Sequence, residues 1–196
     1  MSLTTPLSAG TRLADIRYSA AQVRVINAAL ALFAQHGVAG TSLQMIADAM
    51  GVTKAAVYHQ FRTKDEIVIA TADYELVPLE AAVERAEAAA DRTEARRALL
   101  RELVDFSVRN RAAVRAWQGD PAMMRVLARH EPFRRLTRRM FALLADEGGE
   151  ADWSIPAAML SAAISAVGQP ALAGVDPDLL RERVFHYACR LLDLPE

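Results

Sequence analysis

The chain has 196 residues, 53% hydrophobic and 24% charged, which suits a soluble globular protein of one large or two small domains. A formal net charge of -1 excludes a polycation, so any affinity for nucleic acid must come from local placement of charge. A lone cysteine, Cys189, excludes an intramolecular disulfide and a cysteine metal cluster, and no segment reaches the roughly 18 apolar residues of a membrane span.

Residues 1–18 hold Pro6, Gly10 and scattered Ser and Thr without a period, and are expected to form a flexible N-terminal arm. In it Arg12 and Arg17 are solvated or touch phosphates. Ser19-Ala-Ala-Gln22 fits a capping box opening a first helix. Its inward face is Ile26, Ala29, Leu30 and Phe33, and His36-Gly37 ends it. Thr41 or Ser42 caps a second helix, with Gln44 able to close the box on Thr41. The same N-terminus, with its unpaired N–H groups and a hydroxyl, is also a phosphate seat.

The stretch from Thr41 to Lys64 carries the most information. Leu43, Ile46, Ala47 and Met50 fall on one helix face, and Gly51 stops that helix because glycine enters the left-handed region without a Cβ penalty. Thr53 caps the next helix, which turns Val57 and Phe61 inward, while Val52 plugs the corner and Ala47 permits a close crossing. This is the pattern of a helix-turn-helix, whose second helix enters the DNA major groove. The outward face of that helix is Thr53, Lys54, Ala55, Tyr58 and His59: short groups near its start, then a cation and hydrogen-bonding rings. Residues 1–66 hold six basic and four acidic side chains, a mild positive bias. A surface helical hairpin with an ordinary solvated face is the alternative. Thr63-Lys64-Asp65-Glu66 opens a long helix to about Ala90, with Lys64 at the junction in reach of a phosphate backbone. Pro78 inside it removes a backbone hydrogen bond and is expected to kink the helix near Tyr74–Glu75, or to break it in two.

Residues 23–70 resemble the DNA-binding domain of the TetR (tetracycline repressor-like) family of bacterial transcriptional regulators. The matching stretches are AALALFAQHG, the GTS entry to the second helix, IADAMGVTKAAVYHQF and the TKDEI start of the fourth. The resemblance implies an all-α protein of about nine helices. Residues 19–66 would form the three-helix DNA-binding domain and 67–196 a helical ligand-binding and dimerisation domain. It further implies a cytoplasmic homodimeric repressor, released from double-stranded operator DNA by a small, partly hydrophobic molecule. The DNA-facing residues would be Thr41, Ser42, Gln44, Thr53, Lys54, Ala55, Tyr58, His59 and Lys64. No cofactor, metal or membrane partner is implied. A ligand-independent DNA-binding regulator or architectural protein is the alternative.

Further along, a helix bearing Leu99, Leu100, Leu103, Val104 and Phe106 ends at Asn110, and a short one near 112–117 closes at Gly119. Asp120-Pro121 opens the next, and Gly148-Gly149 marks a loop. Large adaptable side chains here are candidate walls of a ligand site, or ordinary core: Phe106, Trp117, Met123, Met124, Leu127, Phe133, Met140 and Met159. Thirteen arginines between 92 and 139 read as solvated helix faces rather than a second nucleic-acid patch, because arginine is the chain's default cation beside only two lysines. Two final helices begin at Ser154 and after Asp176. They offer Met159, Ala162, Ala163, Ala166, Leu180, Val184, Tyr187, Ala188 and Leu191 as a dimer interface, by the resemblance, or as intramolecular core. A two-fold assembly also follows from the reading task, since one recognition helix covers too few base pairs to be selective. No enzyme is expected: there is no G-x-S-x-G, P-loop, H-E-x-x-H or G-x-G-x-x-G, and the histidines at 36, 59, 130 and 186 lack metal-ligand spacing.

Overall fold

The computed structural model describes residues 12–144 and 154–195. Among these are ten α-helices and no strand. The first three, α1 (Ala20–Gly40), α2 (Leu43–Met50) and α3 (Lys54–Gln60), form the N-terminal unit. Ser19 opens α1 with the full capping box, its side chain accepting from the Gln22 N–H while Gln22 accepts from the Ser19 N–H. The regular helix breaks at Gly37 (φ 71°, ψ 168°) before a last turn to Gly40. Glycine is required there twice over: the φ is positive, and a Cβ would lie 2.9 Å from an Asp120 carboxylate oxygen. Ser42, not Thr41, caps α2, and Gly51 in the left-handed region (φ 65°, ψ 34°) ends it. Thr53 caps α3. Ile26, Ala29, Phe33, Ile46, Ala47 and Val57 close the core between the three helices, each all but inaccessible to solvent.

The long α4 (Lys64–Ala88) leaves this unit and becomes the spine of the second. It runs unbroken through Pro78, so the alternative of a break into two helices does not occur. The reason is burial. Leu76, Leu79, Ala82 and Val83 are all buried on either side of the proline, and the helix is packed by α1, α5 (Arg92–Arg109), α7 (Pro121–Leu127) and α8 (Glu131–Leu144). A lost hydrogen bond and a ring clash cost about 3 kcal/mol, less than such a set of buried side chains contributes at roughly 1.5–3 kcal/mol each. Between α5 and α7 lies α6 (Arg111–Gly119); α9 (Ser154–Ala166) and α10 (Pro177–Leu191) finish the bundle. Among the described residues no helix is long and apolar enough to cross a membrane.

Residues 12–18 do not form the expected mobile arm. A short 3-10 turn, Leu13–Asp15, seats Leu13 in the core at 1% exposure, and buried Glu80 on α4 accepts from the Leu13 N–H (2.7 Å) and the Ala14 N–H (3.3 Å). Tyr18 donates to Asp73 at 3.2 Å; burial, then the Asp73 charge, pushes its phenol well above the usual tyrosine range. Asp73 also meets His130 Nε2 at 2.7 Å. The docking partners are far away in sequence and three residues show no period. Residues 1–11 and the predicted Gly148-Gly149 loop lie outside the described residues.

Several of the arginines between 92 and 139 serve the fold. Arg139 grips Glu87 through two bonds of 2.8 and 2.6 Å, tying α8 to α4. Arg101 lies 4.1 Å over the Phe185 ring. Buried Arg96 donates to the Leu144 carbonyl (2.9 Å) and the Leu192 carbonyl (3.3 Å), so one guanidinium holds the last turns of α8 and α10 together. Helix C-termini carry unpaired carbonyls and partial negative charge, which a cation answers. Arg96→Met is therefore expected to destabilise the protein by about 2–4 kcal/mol, since hydrogen bonds to charged groups contribute roughly 1.5–3 kcal/mol and the carbonyls stay buried. Urea unfolding measures it; an unchanged midpoint would show that the two helix ends are held some other way.

Candidate nucleic-acid interface and pocket

On α3 only Val57 is fully buried, which turns the rest of the helix outward. Thr53, Lys54, Ala55, Tyr58 and His59 are all exposed, Tyr58 at 48%. The Thr53 hydroxyl accepts from the Ala56 N–H at 3.2 Å and fixes the helix start. His59 Nδ1 lies 3.3 Å from Gln60 Nε2. The Arg62 guanidinium sits 5.5 Å from the centre of the Tyr58 ring, a cation–π contact at the far end of the same face. Arg62 is absent from the sequence-derived site; it lies beyond the end of α3, after the extended Phe61, where helical spacing carries no signal.

The entry to α2 differs from expectation at three points. Thr41 is only 2% exposed and its hydroxyl donates to the Gly37 carbonyl at 2.7 Å, so it serves the turn and presents nothing to a phosphate. Ser42 is exposed and accepts from the Met45 N–H. Gln44 is exposed but reaches Asp48 at 2.7 Å, not Thr41. Lys64 does not project: its ammonium donates to the Val38 carbonyl and to the Thr41 carbonyl, the latter at 2.9 Å. Carbonyls where α1 ends carry partial negative charge, which the Lys64 ammonium answers.

The same loop is held from the other side. Asp120, between α6 and α7, accepts from the Val38 N–H and also caps α7 through the N–H groups of Ala122 (2.7 Å) and Met123 (3.3 Å). Burial opposes its ionisation, yet the hydrogen bonds from Val38, Ala122 and Met123 outweigh it and bring its carboxyl below the usual aspartate range. One carboxylate thus ties the second unit to the turn that precedes the helix-turn-helix.

Behind this junction a half-open pocket of about 450 Å³ lies between α4, α5, α6, α7, α8 and α9. Phe106, Trp117, Met124, Phe133 and Met140 line it, with Phe106 and Trp117 stacked at 6.1 Å between ring centres. Met123 and Leu127 do not: both are at 0% exposure in the core. They share one face of α7, i and i+4, and that face packs inward, leaving Met124 to the pocket. Met159 is not on the wall either and is 53% exposed. Sequence reasoning missed Leu76 and Leu79, which α4 contributes on the N-terminal side and just beyond Pro78.

The final two helices divide the predicted interface. Leu180 and Ala188, at 5% and 2% exposure, belong to the chain's own core. Ala163, Ala166, Val184 and Leu191 are half-buried, while Met159, Ala162 and Tyr187 are exposed. Ala162 also touches the pocket. Ile155 (68% exposed) and Leu179 (46%) extend the outward apolar stripe and were not foreseen.

The three-helix unit with its outward α3, carried on a helical bundle, defines a helix-turn-helix protein. Residues 25–71 match the family model described as bacterial regulatory proteins, tetR family, and the N-terminal domain of this chain is of that family. The probable acrEF/envCD operon repressor of Escherichia coli (strain K12) is 49% identical over 43 residues, which is 22% of this chain and 20% of the relative; the chain thus matches about a fifth of that protein's length. A bacterial regulatory protein in the tetR family from Rhodococcus RHA1 is similar in structure, with TM-score 0.69 and 21% identity over 91% of this chain and all of that one. AibR, solved in complex with isovaleryl coenzyme A and operator DNA, has TM-score 0.63 and 18% identity, covering 85% of this chain and 97% of its own. These solved structures share the fold across nearly the whole chain.

Removing the Asp120 carboxylate tests the junction. Asp120→Ala loses both the cap and the bond to Val38 and is expected to cost about 2–4 kcal/mol. Asp120→Asn keeps a cap and loses the charge, so it costs less. Because the native carboxyl titrates below its ordinary value, its stabilisation is complete above about pH 4 and is lost as pH falls through the lowered value. The gap in urea midpoint between the unmodified protein and Asp120→Asn should therefore close in acid; a gap independent of pH would contradict the assignment.

Proposed function

We propose that this chain is a dimeric transcriptional repressor that leaves its operator when a small molecule fills the half-open pocket. The observation that carries the reading is the exposed face of α3, Lys54, Ala55, Tyr58 and His59, on a domain matched to the tetR family. In this reading Thr53, Lys54 and Ala55 meet base edges in the major groove, and Tyr58 with Arg62 meets phosphates. Ser42 and the exposed start of α2 sit against the backbone of the same half-site. Lys64 acts at one remove, by holding the turn that aims α2. Such a regulator works in the cytoplasm, beside the chromosome.

Two copies are needed to read two half-sites one helical turn apart, about 34–36 Å. The exposed stripe of Ile155, Met159, Ala162, Leu179 and Tyr187 supports pairing through α9 and α10, because so much outward apolar surface on adjacent helices is what a partner copy covers. The solved relative bound to isovaleryl coenzyme A and operator DNA supports the pairing of a ligand site with a DNA site in one fold. Coupling follows from the junction. Trp117 and Met124 line the pocket three residues before and four after Asp120, which grips Val38. A ligand that displaces either side chain moves that grip. Only a ligand with different affinities for the two arrangements can shift them.

Selection from random duplexes is expected to return an inverted repeat, bound less tightly as salt rises because counterions are released from phosphates. Lys54→Ala should relax the preference at one position of each half-site by about 1–3 kcal/mol, whereas Tyr58→Phe and Arg62→Ala should weaken all sequences alike. No enriched motif would end the reading. For assembly, Met159→Glu and Tyr187→Glu are each expected to turn a dimer into a monomer of unchanged helix content. Sedimentation of the unmodified protein as a monomer at micromolar concentration would refute the interface.

A further inference from the structure

A second half-open pocket, of about 460 Å³, lies where the two units meet, between the turn after α1, the first turns of α4 and the segment from α7 to the start of α8. It shares no lining residue with the pocket between α4 and α9. Its wall is unequal in charge. Lys64, Arg125 and Arg129 bring three cations, and Asp65 is the one carboxylate among the described lining residues. Asp65 stands in the first turn of α4, where the helix end already favours an acid. His130 also lines the pocket, but its Nε2 is committed to Asp73 at 2.7 Å. Lys64 is committed to the Val38 and Thr41 carbonyls. The two arginines are not. Both are exposed, and neither guanidinium has a hydrogen bond or ion pair among the described residues. Elsewhere in the same arginine-rich segment Arg96, Arg111, Arg134 and Arg139 each meet an acceptor of the chain. Burial opposes the ionisation of nearby Asp120, and after three backbone N–H groups it is the Arg125 charge that favours it.

We propose that this junction pocket binds a small phosphate monoester, with Arg125 and Arg129 on its oxygens and the apolar wall of Ile69, Ala122 and Val126 against its organic part. Three cations against one carboxylate leave two positive charges on the wall, which a phosphate monoester, close to a dianion at neutral pH, balances and a carboxylate does not. A guanidinium presents paired N–H groups that match two oxygens of one phosphate. The open side leaves the bound group partly hydrated, so its charge is not stripped of water. Val38 and Ala39 belong to the same wall, so the ligand would touch the turn that Asp120 and Lys64 hold.

The test uses the full chain in phosphate-free buffer at neutral pH and a matched set of probes: butyl phosphate, pentanoate, butanol and butylammonium, titrated calorimetrically. Butyl phosphate is expected to bind at least about tenfold more tightly than pentanoate, and the other two not measurably. Arg125→Gln and Arg129→Gln should each weaken butyl phosphate about tenfold, the loss of one charge-assisted contact, and sodium chloride should weaken it in the unmodified protein. Arg92→Gln, which removes an exposed arginine of α5 outside the pocket, should leave it unchanged. In the unmodified protein the Ile69 and Val126 methyl resonances should move on adding butyl phosphate, which keeps the test informative if a variant folds poorly. Any of four results overturns the proposal: no binding of butyl phosphate at millimolar concentration, pentanoate bound as tightly, Arg92→Gln as damaging as Arg125→Gln, or methyl resonances unmoved at saturation. The DNA backbone is the other source of phosphate. If the arginines serve it, Arg129→Gln lowers operator affinity and shrinks its salt slope with no ligand added. The proposal expects neither, and either one overturns it. A chain that selects no DNA motif yet binds butyl phosphate as described upholds this site and ends the regulatory reading, so the two fail separately.

Discussion

The backbone of Val38 is held at both its N–H and its carbonyl, and the placement of the recognition helix depends on it. Its N–H goes to Asp120, at the junction of α6 and α7, and its carbonyl to Lys64, the first residue of α4. The turn it belongs to joins α1 to α2, so these two charged groups set where α2 begins, and α2 in turn sets α3. Gly37 completes the device, because a side chain there would collide with the Asp120 carboxylate. The contact is local electrostatics: a carboxylate offered to a backbone N–H and an ammonium offered to the carbonyls where one helix stops.

That constraint gives the second unit a purpose beyond support. Asp120 holds the turn before the helix-turn-helix on one side and caps α7 on the other, and Trp117 and Met124, before and after it in sequence, line the pocket. The spine α4 makes the same connection by a second route, with Lys64 at the turn and Leu76 and Leu79 at the pocket. Pro78 lies between those two leucines and leaves the Tyr74 carbonyl without its helical partner, yet the helix stays whole because it is packed on several sides. A change of pocket contents therefore has two short, physically continuous paths to one turn. Buried Glu80 and Asp73 add the strap of residues 12–18 to the same helix.

What could be read in the sequence was what short-range chemistry determines. Gly51 in the left-handed region, the caps at Ser19, Thr53 and Thr63, and the inward spacing of Ile46, Ala47 and Val57 are each settled within about one turn, so the helix-turn-helix and its outward residues were legible. The misplacements share a different origin. Thr41 and Ser42 are adjacent and equally suited to cap α2; the Gly37 carbonyl decided between them. Lys64 finds its carbonyls 26 and 23 residues away. Met123 and Met124 stand on a seven-residue helix, too short for periodicity to say which faces the core, and Leu180 and Ala188 carry the same stripe whether it meets another copy or their own chain. That Arg125 and Arg129 share one pocket wall with Lys64 is a property of the packed fold, and no residue pattern announces it.

The central claim is that the grip on Val38 aims the recognition helices, and the distance between those helices in the proposed dimer measures it. A spin label at His59→Cys, with Cys189 fully buried, reports that distance by pulsed electron resonance. The account predicts one narrow distance distribution in the unmodified background and a clearly broader or displaced one when Asp120→Ala or Lys64→Met is added, with helix content unchanged. Identical distributions in all three proteins would contradict it, and would mean that the packing of α1 against α4 and α6 alone orients the domain.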